Sequence, residues 1–169
     1  MDKVFTGRFT ADVDGDFVVF VIGMRFNKPW NVRGWWHTFS AMRPMIKELQ
    51  AHPELGLLHA QQGWIGGPAL VQYWRSFEHL DRYARNADNR HLPAWKTWNQ
   101  ASRASGAVGI WHETYKVHAG EYEAIYGNMT RLGLANAGGH VPITAKGRSA
   151  ARRIGASAED VPAVAYPGD

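Results

Sequence analysis

The run Phe17-Val-Val-Phe-Val-Ile-Gly-Met24 is apolar at every position, and the turn-prone pair Asp14-Gly15 precedes it. A strand that shows one face to water alternates apolar and polar residues, so an uninterrupted run predicts a strand covered on both faces. The run is far too short to cross a bilayer, which needs about 20 residues. We therefore read Asp16 to Phe26 as a strand of a soluble domain. Helices of the same chain would cover one face of its sheet, and a second copy of the chain the other.

The residues that follow give the order strand, helix, strand, strand, helix, strand. Val32 to Ala51 predicts a helix capped by Asn31, with Trp35, Phe39, Met42, Ile46 and Leu49 recurring at helical spacing as a core-facing stripe. Pro44 interrupts that stripe and predicts a kink. His52-Pro53 closes the helix, because a residue before proline avoids the helical region. Leu55 to Trp64 and Ala69 to Arg75 read as strands joined by Ile65-Gly-Gly-Pro68. The second helix starts at Ser76 with Phe77, Leu80 and Tyr83 or Ala84 inward, and breaks before Pro93, so that a second piece runs to about Arg103 and His91 stands at the break. Ala107 to Val117 completes the set, and Glu121 to Tyr126 is a shorter extended piece. This is the ferredoxin-like α+β arrangement, a four-stranded antiparallel sheet with two kinked helices on one face. Pairing two such sheets gives a dimeric α+β barrel, so a homodimer is expected. The domain is assigned to residues 1–132, and residues 133–169 read as a Gly/Ala/Pro-rich C-terminal arm.

Composition excludes several chemistries. The 169 residues include no cysteine, which removes thiolate nucleophiles and cysteine-held zinc, and there is no dependence on an oxidising compartment. With no signal-like opening after Met1, a cytoplasmic protein that engages no membrane is expected. The net charge of +4 is modest, and the aromatics are not interleaved with a basic stripe, so no nucleic-acid partner is expected. The histidines lack zinc spacing, and no Gly-rich loop leads a strand into a helix.

All eight tryptophans fall between Trp30 and Trp111. Indoles are hard to hide in a small core, so their density suggests the walls of a cavity, with a bulky solid core as the alternative. Kinks at Pro44 and Pro93 would splay the helices from the sheet and leave a slot lined by Trp35 or Trp36, Phe39, Trp74, Trp95 and Trp98. His112 and Glu113 must point to opposite faces of their strand. Glu113 shares its face with Trp111 and Tyr115 and calls for a partner such as Arg25, Arg75 or a histidine. Asn128 and Tyr126 offer hydrogen bonds to a substrate or brace a sheet edge. The candidate catalytic residues are His112, Glu113 and Asn128.

Five separated blocks, His52-Pro-Glu-Leu-Gly-Leu-Leu, Val71-Gln-Tyr-Trp-Arg-Ser-Phe-Glu-His-Leu, His91-Leu-Pro-Ala-Trp, Gly109-Ile-Trp-His-Glu-Thr-Tyr and Tyr122-Glu-Ala-Ile-Tyr-Gly-Asn-Met, occur in order. In them the chain resembles the monooxygenase-like family related to an enzyme of fumagillin biosynthesis, over about Thr6 to His140. It departs from that family's Asn-Met-Pro-Pro in having Asn128-Met-Thr-Arg131. The resemblance implies membership of the dimeric α+β-barrel group, which includes cofactor-free monooxygenases, haem-degrading enzymes and aldoxime dehydratase relatives. In haem-binding members a histidine of the second helix holds the iron, which would make His91 the metal ligand here and Trp36, Trp74, Trp95 and Trp98 the cofactor's surroundings. Bracing the helix break is the alternative role for His91. The expected activity is oxidation of a small apolar substrate by a monooxygenase, with haem as a possible cofactor. A haem-dependent lyase of the aldoxime dehydratase type and a non-catalytic binder of haem or an apolar ligand stay open.

Overall fold

In a computed structural model that describes residues 2–86, 106–162 and 164, the chain forms two compact units, Val18–Tyr115 and the two flanking segments together. The central unit holds strand β2 (Phe17–Phe26), helix α1 (Val32–Ala51), β3 (Leu57–Trp64), β4 (Pro68–Trp74), helix α2 (Phe77–Arg85) and β5 (Val108–Val117). The sheet order is β3-β4-β2-β5, and β4 runs antiparallel to both β2 and β3. That order, with a helix after the first strand and another after the third, is the ferredoxin-like α+β fold.

Register explains how the apolar run is used. Val18 lies opposite Trp74, Phe20 opposite Gln72 and Ile22 opposite Leu70, and this row of pairs faces the helices. Val18, Trp74, Leu49 of α1 and Leu80 and Tyr83 of α2 make the buried core, with Phe20, Ile46, Leu55 and Leu57 packed against it. Each aliphatic side chain so buried contributes about 1.5–3 kcal/mol. Val19, Val21 and Gly23 alternate onto the other face beside Tyr73, Val71 and Ala69. Both faces of β2 thus carry apolar side chains.

Local chemistry sets the element ends. Ser76 Oγ accepts the His79 backbone N–H and starts α2, as expected for this residue type. Pro44 lies inside α1, which continues past it to Ala51. Two expectations are corrected. Phe77 is 40% exposed rather than inward, because it occupies the first position of α2 before the helix meets the sheet. Leu55 belongs to a single 3₁₀ turn, Pro53–Leu55, closed by Gly56 in the left-handed region, so β3 begins only at Leu57.

The other unit is built on a strand that sequence periodicity did not predict, β1 (Phe5–Asp12). It lies between β6 (Tyr126–Met129) and β7 (Gly139–Pro142), antiparallel to each. The extended piece expected at Glu121 to Tyr126 falls instead at Tyr126–Met129. Gly127 pairs with Arg8 and Met129 with Phe5 along a strand where burial supplies no pattern. Residues beyond Gly133, read as irregular, provide β7 and the short helical turns Leu134–Ala137 and Ala150–Arg153. Thr10 is buried and donates to the Ala124 carbonyl at 2.7 Å, while Asp12 pairs with Lys146 at 2.5 Å.

The β3–β4 turn approaches β2 closely. A Cβ on Gly67 would stand 1.9 Å from the Met24 carbonyl oxygen, so no other residue fits without moving backbone. Gly67→Ala should lower stability by about 2–4 kcal/mol by displacing the hairpin from the strand. Thermal unfolding followed by circular dichroism measures this, and an unchanged Tm would contradict it.

Candidate functional site

A cavity of about 130 Å³ opens between α1 and the sheet of the central unit. Phe39, Met42 and Arg43 line it from α1, at positions three and four residues apart that share one helix face. Ile22 and Met24 of β2, Leu70 of β4 and Ile110 of β5 form the apolar floor, and Gln62 of β3 adds an amide at the side. Arg43 and Gln62 are both exposed, so they stand at the mouth, whereas Met24 and Leu70 are buried at the base. Neither Arg43 nor the Gln62 side chain has an ion-pair or hydrogen-bond partner among the described residues. An apolar pocket with a few polar groups at its rim is the usual form of a small-molecule site.

The expected site residues are distributed unevenly around this cavity. Phe39 lines it, as the helical stripe implied. Trp74 is only 1% exposed, with its indole N–H donated to Gln72 Oε1 at 2.9 Å, and it belongs to the packed core. Trp36 is 55% exposed on α1, near the rings of Trp35 and Phe39. Neither tryptophan is among the lining residues. His91, Trp95 and Trp98 lie outside the described residues. His112 points to the same face of β5 as Ile110 but is exposed and not among the lining residues, with its ring 5.5 Å from that of Phe20. Glu113 points to the opposite face, where its carboxylate accepts the Tyr115 hydroxyl and raises that phenol's pKa. Tyr115, not Arg25, Arg75 or a histidine, is thus the hydrogen-bond partner of Glu113. Asn128 belongs to the other unit. Its backbone has φ 51°, and its side-chain oxygen accepts the Gly7 N–H at 2.9 Å, which ties β6 to β1.

Arg43, Met42 and Gln62 are the site residues for which sequence reasoning had no role beyond the stripe. Arg43 follows a stripe position directly, and Gln62 is one of two successive polar residues in a strand. Neither pattern identifies a site without knowing which end of the sheet the helix leaves open.

A haem can be tested against these residues. A cavity of roughly 150 Å³ holds a benzene ring, and a porphyrin is far larger. Among the described residues no histidine lines the cavity. The described residues therefore do not by themselves make a haem site, and that reading depends on His91 alone.

Residues 17–134 match the monooxygenase af470-like family. The chain belongs to that family. It is 32% identical over 152 residues to Monooxygenase af470 of Aspergillus fumigatus, an alignment that takes in 76% of this chain and 53% of that protein. The chain thus spans about half the length of the curated relative it matches. Among solved structures it is similar to two aldoxime dehydratases. One matches with a TM-score of 0.61 and 16% identity, over 82% of this chain and 41% of the other. The second, OxdRE in complex with butyraldoxime, matches with a TM-score of 0.59 and 14% identity, over 82% and 40%. At that identity the likeness concerns the fold.

This monooxygenase-like chain carries a second unusual side chain, in the flanking unit. His140 of β7 stacks on Phe9 at 4.6 Å and meets Phe5 and Tyr126 edge-on at 4.7 and 5.5 Å. Both ring nitrogens are buried without a hydrogen-bond partner among the described residues. Burial, and then the nearby Arg131 charge, push its pKa below the ordinary 6.5. A histidine kept neutral in the native state stabilises above pH 6.5, and that contribution is lost as pH falls through its lowered native value. The Tm should therefore drop between pH 7.5 and pH 5, and His140→Phe should reduce the drop. An identical pH profile in the two proteins would refute the assignment.

Proposed function

We propose that this chain is a monooxygenase-type oxidoreductase acting on a small, mostly apolar molecule held between α1 and the sheet. The carrying observation is the cavity of about 130 Å³, whose described lining is apolar at its base and polar at its mouth. Its size suits a guest of benzene scale. In such a reaction one atom of O₂ enters the substrate and the other leaves as water. The two further electrons come from an added reductant, or from a substrate that itself loses two hydrogens. The chain's own contributions are orientation by Phe39, Met42 and Leu70 and exclusion of water. Glu113 faces away from this chemistry.

A lyase is the second reading, favoured by the fold likeness to aldoxime dehydratases and by the size of an aliphatic aldoxime, which is comparable to that of the cavity. Dehydration of an aldoxime to a nitrile is redox-neutral and consumes no oxygen. Measured with an oxygen electrode, substrate loss should be matched by O₂ uptake. Met42→Trp, which fills the cavity, should cut the rate at least tenfold. Turnover without oxygen would instead establish the lyase, and binding without turnover a carrier. A Soret band lost in His91→Ala would add haem to whichever reading survives.

The half-buried Val19, Val21 and Val71 on the sheet face away from the helices support a homodimer through that face. A stable contact there would bury roughly 1,200–2,000 Å² in total. Analytical ultracentrifugation should show a dimer that Val21→Glu converts to monomer. A monomeric native chain would end this reading.

A further inference from the structure

We infer that the guest of this cavity is a small organic monoanion, a carboxylate or phenolate class of molecule whose hydrocarbon body lies on Leu70 and Met42 and whose charged oxygen meets Arg43. The inference rests on reading the cavity as the substrate site. Three observations carry it. Arg43 lines the cavity one residue after Met42 and has no ion-pair partner among the described residues, although carboxylates elsewhere in the chain are paired with Arg85, Lys146 and Arg153. No aspartate or glutamate among the described residues lines the cavity, so a cationic guest meets no described counter-charge there. The other polar side chain among the described lining residues, Gln62, can donate its amide N–H to the same anion. A guanidinium offers a planar fork of donors that matches a carboxylate.

The volume sets the body of the guest. With room for about one aromatic ring inside, the charged group must project to the mouth, where Arg43 and Gln62 are exposed. Apolar base and cationic rim thus select for a molecule amphipathic along its length.

Isothermal titration of the full chain with benzoate, benzamide and benzylamine separates charge from shape, since the three share a ring and differ in head group. Benzoate should bind at least tenfold more tightly than benzamide, with benzylamine weakest. Added salt should weaken benzoate binding and leave benzamide unchanged. Arg43→Gln should bring benzoate down to the level of benzamide, and Arg43→Lys should restore part of the difference. Met42→Trp should abolish binding of both. Equal affinity of the native chain for benzoate and benzamide, or a benzoate preference that survives Arg43→Gln, would overturn the inference while leaving the cavity as the site. Benzoate binding that survives Met42→Trp, or the failure of all three compounds to bind, would overturn the site reading with it.

Discussion

The two-sided apolarity of β2 is the constraint on which the central unit depends. A strand placed between β4 and β5 has no free edge, so all its backbone groups are directed to neighbours and only its faces remain to be covered. Val18, Phe20, Ile22 and Met24 require the helices, which is why α1 and α2 must return over the same face. Val19 and Val21 require a different cover on the other. Trp111 provides part of it by lying over Gly23, where any Cβ would come within 2.7 Å of the indole. That glycine is needed for the space above it rather than for its backbone angles.

The cavity follows from a gradient in side-chain size along the helix-covered face. At one end the cross-strand row is Val18, Trp74 and Leu57, closed from above by Leu49 and Tyr83. One buried indole fills that end, and Tyr83 is further fixed by donating to Glu48 at 2.9 Å. At the other end the row is Ile22, Leu70 and Gln62, under Phe39 and Met42. No indole of the described residues occupies it. Among those residues the interior is solid where Trp74 stands and open where it does not, so the described tryptophans shape the cavity by where they are absent rather than by lining its walls. Trp30 and Trp64, 78% and 72% exposed, take no part in either role.

Much of the fold was legible because its signals are periodic. The stripe from Trp35 to Leu49 needs nothing beyond helical spacing, and α1 occupies Val32–Ala51 as that stripe required. Ser76 announces α2 through a hydrogen bond local to four residues. By contrast, Phe-Thr-Gly-Arg-Phe-Thr-Ala-Asp of β1 carries a glycine with φ 94° and a register shift between Phe5 and Arg8, which disrupt the two-residue period. Its partners, β6 and β7, have only four residues each and lie far away in sequence. Such pairing is a property of three segments together, and no single window contains it. The site was half legible for the same reason. The opposite orientations of His112 and Glu113 follow from strand alternation alone, whereas the role of Arg43 depends on where the packing between α1 and the sheet gives way.

Family and fold do not select the chemistry, since one fold hosts many reactions. What can select it is the placement of charge against an apolar volume. Desolvating an anion is costly unless a partner meets it, and an unpaired guanidinium at the mouth offsets that cost only for a guest that keeps its charged end outward. On the proposed reading, the reacting carbon would then be held at a set depth beneath the rim, on the face of the sheet away from Glu113. Depth, rather than the identity of any one wall residue, is what would let so small a cavity distinguish positions along its substrate.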